Sequence, residues 1–429
     1  ELAPNTEFLE LARLSLPIIV TYVLELLPGV VSVSLVGRME SPLTKEYVDG
    51  AALSNMFMNL SGVAVGFGLA TAMDTLCSQT FGAGKPKQMG IYLQSGLLVM
   101  AVAMVPVFLA TWFTEDLLLL MGQHKEVSRL AGRFSRLSLP GLPFLFAYEL
   151  LKKVFQAQNI VKPMMYIAVW SNLVNLALGA YLTWYTPLGF DGAAIARSIA
   201  SLALLAGVFP YLMLRPMMLQ WWGGWAMRTA LRHTRTFLTL GIPGMFMIML
   251  EWWSYEAIAI VVGLLPDSVV ALSVHSVLVN VSNVTFNFFM GIAVATSIRA
   301  GNYVGSDQPL RARLVSRLAL AANALLFLLP FQLVDACNCV MQGIFRGTGR
   351  QTFAAVVNLF AYYAVGLPAG IVLALPLHLG VKGCWVGFTG GVACALAASL
   401  VKMRHTNWYD LADAAKERTT MESEADSRV

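Results

Sequence analysis

Charge is what this sequence has least of. Lys, Arg, Asp and Glu make up only 12% of its 429 residues, against 57% hydrophobic, and the mean hydropathy is +0.67. Such a balance excludes a soluble globular protein and predicts a polytopic membrane protein. Basic residues outnumber acidic ones, 29 to 24, but they lie between apolar runs rather than in one stripe, which argues against a nucleic-acid partner. Cysteine is equally sparse. Cys77, Cys337, Cys339, Cys384 and Cys394 show no paired metal spacing. Cys337 and Cys339 would point about 200° apart on a helix, so they cannot chelate one ion, and the five read as small buried hydrophobes. The five histidines are scattered without an HExxH arrangement, and no hydrolase elbow, kinase loop or nucleotide fingerprint occurs, so no enzyme, metal or cofactor is expected. "RGTGRQ" (346–351) lacks the Lys-Ser/Thr of a phosphate loop and reads as a turn. Asn59, Asn280 and Asn283 begin Asn-x-Ser/Thr triplets, but inside apolar runs, where glycosylation is not expected.

What is abundant is long apolar runs. About 20 such residues cross the hydrocarbon core as a helix. Runs cover 11–36, 51–79, 91–113, 130–156, 163–185, 192–214, 237–264, 268–298, 353–376 and 381–401, with a cramped region at 310–345. The first reads as a span rather than a removed leader. Two passes in the cramped region give twelve, and 36 residues are about 54 Å of helix, barely enough for two crossings. A shortened pair broken around Pro330 is expected, since a single pass would reverse the charge pattern that follows. Lys and Arg concentrate after even-numbered spans, at Lys85, Lys87, Lys152, Lys153, Lys162, Arg215, Arg228, Arg232, Arg235, Arg299, Arg311, Arg313, Arg346 and Arg350. The connection after the third span, with Lys125, Arg129, Arg133 and Arg136, is an exception. By the positive-inside rule both termini are cytoplasmic. Trp221, Trp222 and Trp225 read as a surface anchor between halves, and the charged stretch 403–429 as a disordered tail.

The halves repeat. "LSLPIIVTYVLE" (14–25) aligns with "LGIPGMFMIMLE" (240–251), placing Pro17 on Pro243 and Glu25 on Glu251 at an offset of 226. At an offset of 223, Gly68 falls on Gly291, Gln79 on Asn302 and Gly82 on Gly305. At 190, Phe155 falls on Phe345, so the second half is about 33 residues short between the last two matches. The expected organisation is an all-α membrane protein of about twelve transmembrane helices in two homologous six-helix lobes, with the ninth and tenth helices shortened. The N-terminal lobe would cover 1–214, a cytoplasmic loop 215–236 and the C-terminal lobe 237–402.

Carboxylates inside these runs are costly, about 2.5–3.5 kcal/mol each at mid-bilayer on insertion scales, and so mark polar cavities. Glu251 lies about 21 Å along its span from residue 237, near mid-membrane. Tyr255 shares its face at i+4, whereas Glu256 is rotated by about 140°. Glu25 holds the matching depth in the first half. Asp335 lies in the cramped region near Gln332, Asn338 and Gln342. Asp74 lies near the end of its span beside Thr75, Ser78 and Gln79, suited either to local capping or to transport. Asn172 and Asn175 share a face, and line a polar path or bond a neighbouring helix.

With "GFGLATAMDTLCSQTFGAG" (66–84), "EWWSYE" (251–256), "SIRAGNYVG" (297–305), "RGTGRQ" and "NLFAYYAVGLP" (358–368), nearly the whole chain resembles the multidrug and toxic compound extrusion (MATE) family, most of all its eukaryotic proton-coupled members. The resemblance implies that Glu251 and Asp335 form a proton and cation site in the C-terminal lobe. Glu256 and Tyr363 would line its cavity, and Asn280 stands where some members carry an acid. Asp74, Asn172 and Asn175 match polar family positions in the N-terminal lobe. The departure is the missing stretch, which bears on the depth of Asp335.

The resulting expectation is a monomeric secondary transporter in the plasma membrane or a vacuolar or lysosomal-type membrane. It would export small organic cations in exchange for protons, rather than sodium, by alternating access. Burial disfavours a bare charge, so a proton and a cation compete for one carboxylate. Trp252, Trp253 and Tyr255 could add cation–π contacts. A lipid-linked saccharide flippase of the same superfamily is an alternative. It calls for a cationic cavity, and no mid-span Lys or Arg is read in the first half. An inactive truncated form is another.

Overall fold

Apolar runs of this length leave the backbone one way to satisfy its polar groups in lipid, and the chain is helical almost throughout. The structure, a computed structural model, describes residues 4–427. In order, α1 is Pro4–Gly37, α2 Thr44–Met58, α3 Ala64–Gly82, α4 Gln88–Trp112, α5 Thr114–Leu120, α6 Lys125–Ser138, α7 Leu142–Ala157, α8 Lys162–Trp184, and α9 Phe190–Leu214. Then come α10 Met227–Gly263, α11 Ser268–Gly305, α12 Pro309–Leu326, α13 Pro330–Thr348, α14 Gln351–Asn358, α15 Leu367–Ala374, α16 Gly380–Arg404 and α17 Trp408–Ser427. A π-helical turn, Asn59–Val63, joins α2 to α3, and a longer one, Leu359–Gly366, joins α14 to α15. Twelve passes result: α2–α3, α6–α7 and α14–α15 each make one. Nine of the twelve are long and apolar enough to be recognised from composition among the described residues. The other three are α6–α7, interrupted at Leu139–Gly141, and the pair α12 and α13.

That pair answers the question of the cramped region. The backbone leaves helical geometry at Phe327, which is extended, so one continuous helix does not form here. Pro330 then opens α13 with its ring at the first turn, where a missing N–H costs nothing. At 18 and 19 residues the two helices are about 27 and 28 Å long, just short of the usual hydrocarbon thickness.

The lobes meet along α3, α10 and α11, and their joint repeats the sequence repeat. A Cβ on Gly82 would stand 2.1 Å from the Asn302 carbonyl oxygen, and one on Gly305 would stand 2.1 Å from that of Gln79. Each glycine thus packs on the partner of the other. The side chains cross in the same way: Gln79 donates to the Gly347 carbonyl at 3.0 Å and Asn302 to the Ala157 carbonyl at 3.2 Å. Residues 157 and 347 are themselves related by the offset of 190.

Two expectations change. The connection between lobes is shorter than 215–236 because α10 starts at Met227, and Trp221 is not a surface anchor but lies buried, edge-on to Phe155 at 6.2 Å. The stretch read as a disordered tail is helical as far as Ser427; residues 428–429 lie outside the described residues. Trp408, Leu411 and Ala415, spaced three and four apart, bury one face of α17 in the core of the C-terminal lobe. Its far side touches the other lobe, where Arg418 donates to Gln79 Oε1 and Lys85 donates to the Thr419 carbonyl at 2.9 Å. The first helix begins on this same face, since Arg299 near the end of α11 pairs with Glu7 and Glu10 at 2.6 and 2.7 Å.

Gly305→Val should lower the thermal stability of the detergent-purified protein by about 1–3 kcal/mol, since the added side chain has only backbone to displace. A melt recorded by tryptophan fluorescence checks it; an unchanged transition would show that the joint is looser than described.

Candidate functional site

Helix α13 brings the C-terminal site together. Asp335, Cys339, Gln342 and Arg346 recur at intervals of four, three and four, which places them on one face of the helix. All four are buried. Opposite them, α10 presents Glu251, which is 5% exposed and about 18 Å from the end of its helix at Gly263. Gln342 Nε2 donates to Glu251 Oε2 at 3.2 Å. Asp335 lies about 8 Å into α13 yet is fully buried, within electrostatic reach of Glu251, and its Oδ2 has no hydrogen-bond partner. The shortening of the helix pair has therefore cost length without lifting Asp335 out of the site.

The π-helical turn supplies the facing wall. A wider turn rotates successive side chains off the α-helical register, a device common at functional sites. Here Tyr362 accepts a hydrogen bond from Asn338 Nδ2 at 3.0 Å, and Tyr363 donates to the Leu250 carbonyl at 3.1 Å. Tyr255 packs edge-on to Phe388 at 5.1 Å, and its hydroxyl does not bond Glu251. Glu256 is half-buried and has no polar partner among the described residues. Asn280 is exposed and donates to its own helix, at Ser276, so the site does not include it. Trp253 also faces outward, its Nε1 donating to the Leu60 carbonyl at 3.3 Å.

In the N-terminal lobe the structure overturns a prediction. Lys152 and Lys153, read as loop residues, lie within α7 and are buried, as is Arg346 in α13. The first half does carry lysines buried inside a pass, about 6–8 Å from the end of α7. Each has counter-charges: Lys152 Nζ is 2.7 Å from Glu25 and 2.6 Å from Glu149, and Lys153 Nζ is 2.9 Å from Asp74. The rings of Tyr22, Phe67 and Tyr148 surround Lys152 at 4.7–5.8 Å. Asp74 is thus an ion-pair partner and not a helix cap. Asn172 donates to the Leu24 carbonyl at 2.9 Å, tying α8 to α1, while Asn175 is buried with no partner for its Nδ2.

Glu149, Lys152, Lys153, Gln342, Arg346 and Tyr362 join the site without having been predicted to line it. A signal for two of them exists in the repeat. At the offset of 190 that aligns Phe155 with Phe345, Lys152 falls on Gln342. The contact of Lys152 with Glu25 in one lobe is therefore matched by that of Gln342 with Glu251 in the other.

The MatE family profile matches residues 17–181, 243–321 and 315–372, its first two segments beginning at Pro17 and Pro243, the prolines of the repeat. The chain belongs to the MatE family. It is 33% identical to multidrug and toxin extrusion protein 2 of Oryctolagus cuniculus over 95% of this chain and 72% of that protein. To protein DETOXIFICATION 16 of Arabidopsis thaliana it is 31% identical, over 94% and 89%. Among solved structures, the eukaryotic MATE transporter AtDTX14 superposes with a TM-score of 0.90 at 26% identity, covering 97% of this chain and 99% of that one. A Vibrio cholerae MATE transporter in its bent form gives 0.78 at 15%, a likeness of fold alone. The MATE fold of two six-helix lobes is the architecture expected from the repeat, and its solved members are transporters.

Removing Lys152 from this MATE lobe leaves two buried carboxylates without their counter-charge. Lys152→Met should destabilise the protein by roughly 3–5 kcal/mol, far more than a surface lysine change. Thermal unfolding in detergent checks this; a loss below about 1 kcal/mol would mean that water reaches the cluster.

Proposed function

We propose that this MATE-family protein exports organic cations in exchange for protons, by alternating access of the site around Glu251 and Asp335. The observation that carries the proposal is the difference between the twin carboxylates. Glu25 rests on the Lys152 ammonium, which it shares with Glu149, whereas Glu251 rests on the uncharged amide of Gln342. An amide hydrogen bond orients a carboxylate without cancelling its charge, so Glu251 remains open to a proton or a cationic substrate. Either one neutralises it, and they exclude each other. Asp335 adds a second acidic group whose repulsion of ionised Glu251 is relieved by the same neutralisation. Tyr255, Tyr362 and Phe388 give the substrate aromatic surface, suited to a cation with an apolar body.

By the positive-inside rule the face holding both termini and the closed joint is cytoplasmic, in a plasma or vacuolar-type membrane. Export then requires that joint to part so that substrate can enter from within. The protein works as a monomer in this proposal, since one chain supplies both lobes. The flippase alternative needs cations free to meet a pyrophosphate, whereas Lys152 and Lys153 are both held by carboxylates. The repeat's shortened pair does not favour an inactive form, because its polar face is intact.

Glu251→Gln should abolish efflux of a fluorescent organic cation driven by an imposed pH gradient in proteoliposomes, with an unchanged gel-filtration profile. Efflux equal to that of the unaltered protein, or efflux driven by a sodium gradient instead, would sink the assignment.

A further inference from the structure

The lobe joint contains a buried guanidinium that no partner fully satisfies. Arg346 is 2% exposed. Its Nε stands 3.8 Å from Asp74 Oδ2, close enough for an ion pair but too far for a hydrogen bond, and neither atom has a hydrogen-bond partner. Its Nη2 reaches only the Met290 sulphur, at 3.7 Å. Buried cations are ordinarily paired and hydrogen-bonded, so this one is loosely held. Asp74, by contrast, is well held by Lys153 in its own lobe.

Position gives the loose charge a meaning. Arg346 lies one turn beyond Gln342 on the polar face of α13, and Gln342 holds Glu251. Its own carbonyl accepts a hydrogen bond from Thr75, one residue after Asp74, so it sits where α13 crosses α3 of the other lobe. It is therefore placed between two carboxylates in different lobes: Asp74, which moves with α3, and Glu251, which stays with α13. The charged and titratable groups that face it are Asp74 on α3, Lys153 on α7, Glu251 on α10 and Cys339 along its own helix, and Glu251 in turn faces Asp335 and Cys339 on α13, Tyr255 on α10 and Tyr362 on the π-helical turn.

Resting on the antiport reading above, we propose that Arg346 is the positioning residue that couples neutralisation of Glu251 to the lobe joint. It is shared with Asp74 while the joint is closed and left to Glu251 when the joint parts. When the lobes separate on this face, Asp74 departs with its nearer partner Lys153. Arg346 then has Glu251 as its remaining counter-charge. If Glu251 is neutral, parting strands a buried cation, which is strongly unfavourable; if Glu251 is ionised, the cation is still compensated. Neutral Glu251 therefore favours the closed joint and ionised Glu251 the parted one. By linkage the closed form holds the proton more tightly than the parted form. The same relation lets an organic cation entering from the cytoplasm close the joint behind itself.

The test reads the joint directly. Spin labels on Lys87→Cys and Lys416→Cys, exposed residues on opposite lobes, report its width by double electron–electron resonance in proteoliposomes, with the exposed Cys394 replaced by Ser. Raising the pH from acid to neutral should increase the parted fraction about fivefold or more. Glu251→Gln should stay closed at every pH. Arg346→Gln should lose the pH response, Arg346→Lys should restore part of it, and Asp74→Asn, which removes the far end of the relay, should lose it as well. A response as large as the unaltered protein's in Arg346→Gln or in Asp74→Asn, or none in the unaltered protein, would overturn the proposal. Should Arg346→Gln fail to fold, Asp74→Asn and Arg346→Lys decide it. Proton-driven efflux measured in the same vesicles separates the two readings. Efflux without an Arg346-dependent width change removes only the role of Arg346, while an Arg346-dependent width change without proton-driven efflux removes only the antiport reading.

Discussion

A carboxylate held inside a membrane by an amide, with no lysine to cancel it, is the constraint on which this molecule turns. Glu251 is buried and hydrogen-bonded by Gln342, with no cation in hydrogen-bond contact with it among the described residues. In lipid such a group is expensive, and the surrounding fold makes it tolerable: the polar face of α13, the tyrosines of the π-helical turn, and the aromatic wall of Phe388 and Trp385. The other lobe meets the same difficulty in the opposite way. There Lys152 sits between Glu25 and Glu149, so one buried ammonium offsets part of the charge of two carboxylates. Among the aligned positions that differ between the halves is the one that meets the repeated glutamate, lysine in the first and glutamine in the second.

The joint between lobes depends on small residues in the same symmetric way. Gly82 and Gly305 let α3 and α11 approach until backbone meets backbone, and Gln79 and Asn302 then bridge to the opposite lobe's backbone. These contacts are individually modest hydrogen bonds, about 1 kcal/mol each. Helix α17 adds two polar contacts from outside while its apolar face stays in the C-terminal lobe. Because α13 both carries the site and crosses the joint, charge and closure are close neighbours along one helix.

Much of this is legible in the residues. Pro17 and Pro243 mark the start of each half, the repeated glutamates mark depth, and Pro330 marks the break in the short pair. Lys152, Lys153 and Arg346 escape a hydropathy reading for a specific reason: it assigns charges at the end of an apolar run to the following loop, because it has no way to see a counter-charge on another helix. Asn280 enters the expected site on resemblance alone; its side chain is exposed and bonds its own helix. The final helix resembles a tail because its many charges hide Trp408, Leu411 and Ala415, whose spacing already describes one buried face.

The number of passes, their order, the two-fold repeat and the presence of carboxylates at mid-membrane follow from the amino-acid order alone. These are local properties: apolar length, turn residues and the recurrence of a pattern along the chain. Which of the carboxylates are free is a matter of packing. Glu25 and Lys152 are 127 residues apart, Glu251 and Gln342 are 91 apart, and Asp74 meets Arg346 across the lobes. Whether a buried charge is cancelled or left available depends on which side chain the fold brings within a few ångströms, because the interaction falls off with distance in space and takes no account of distance along the chain.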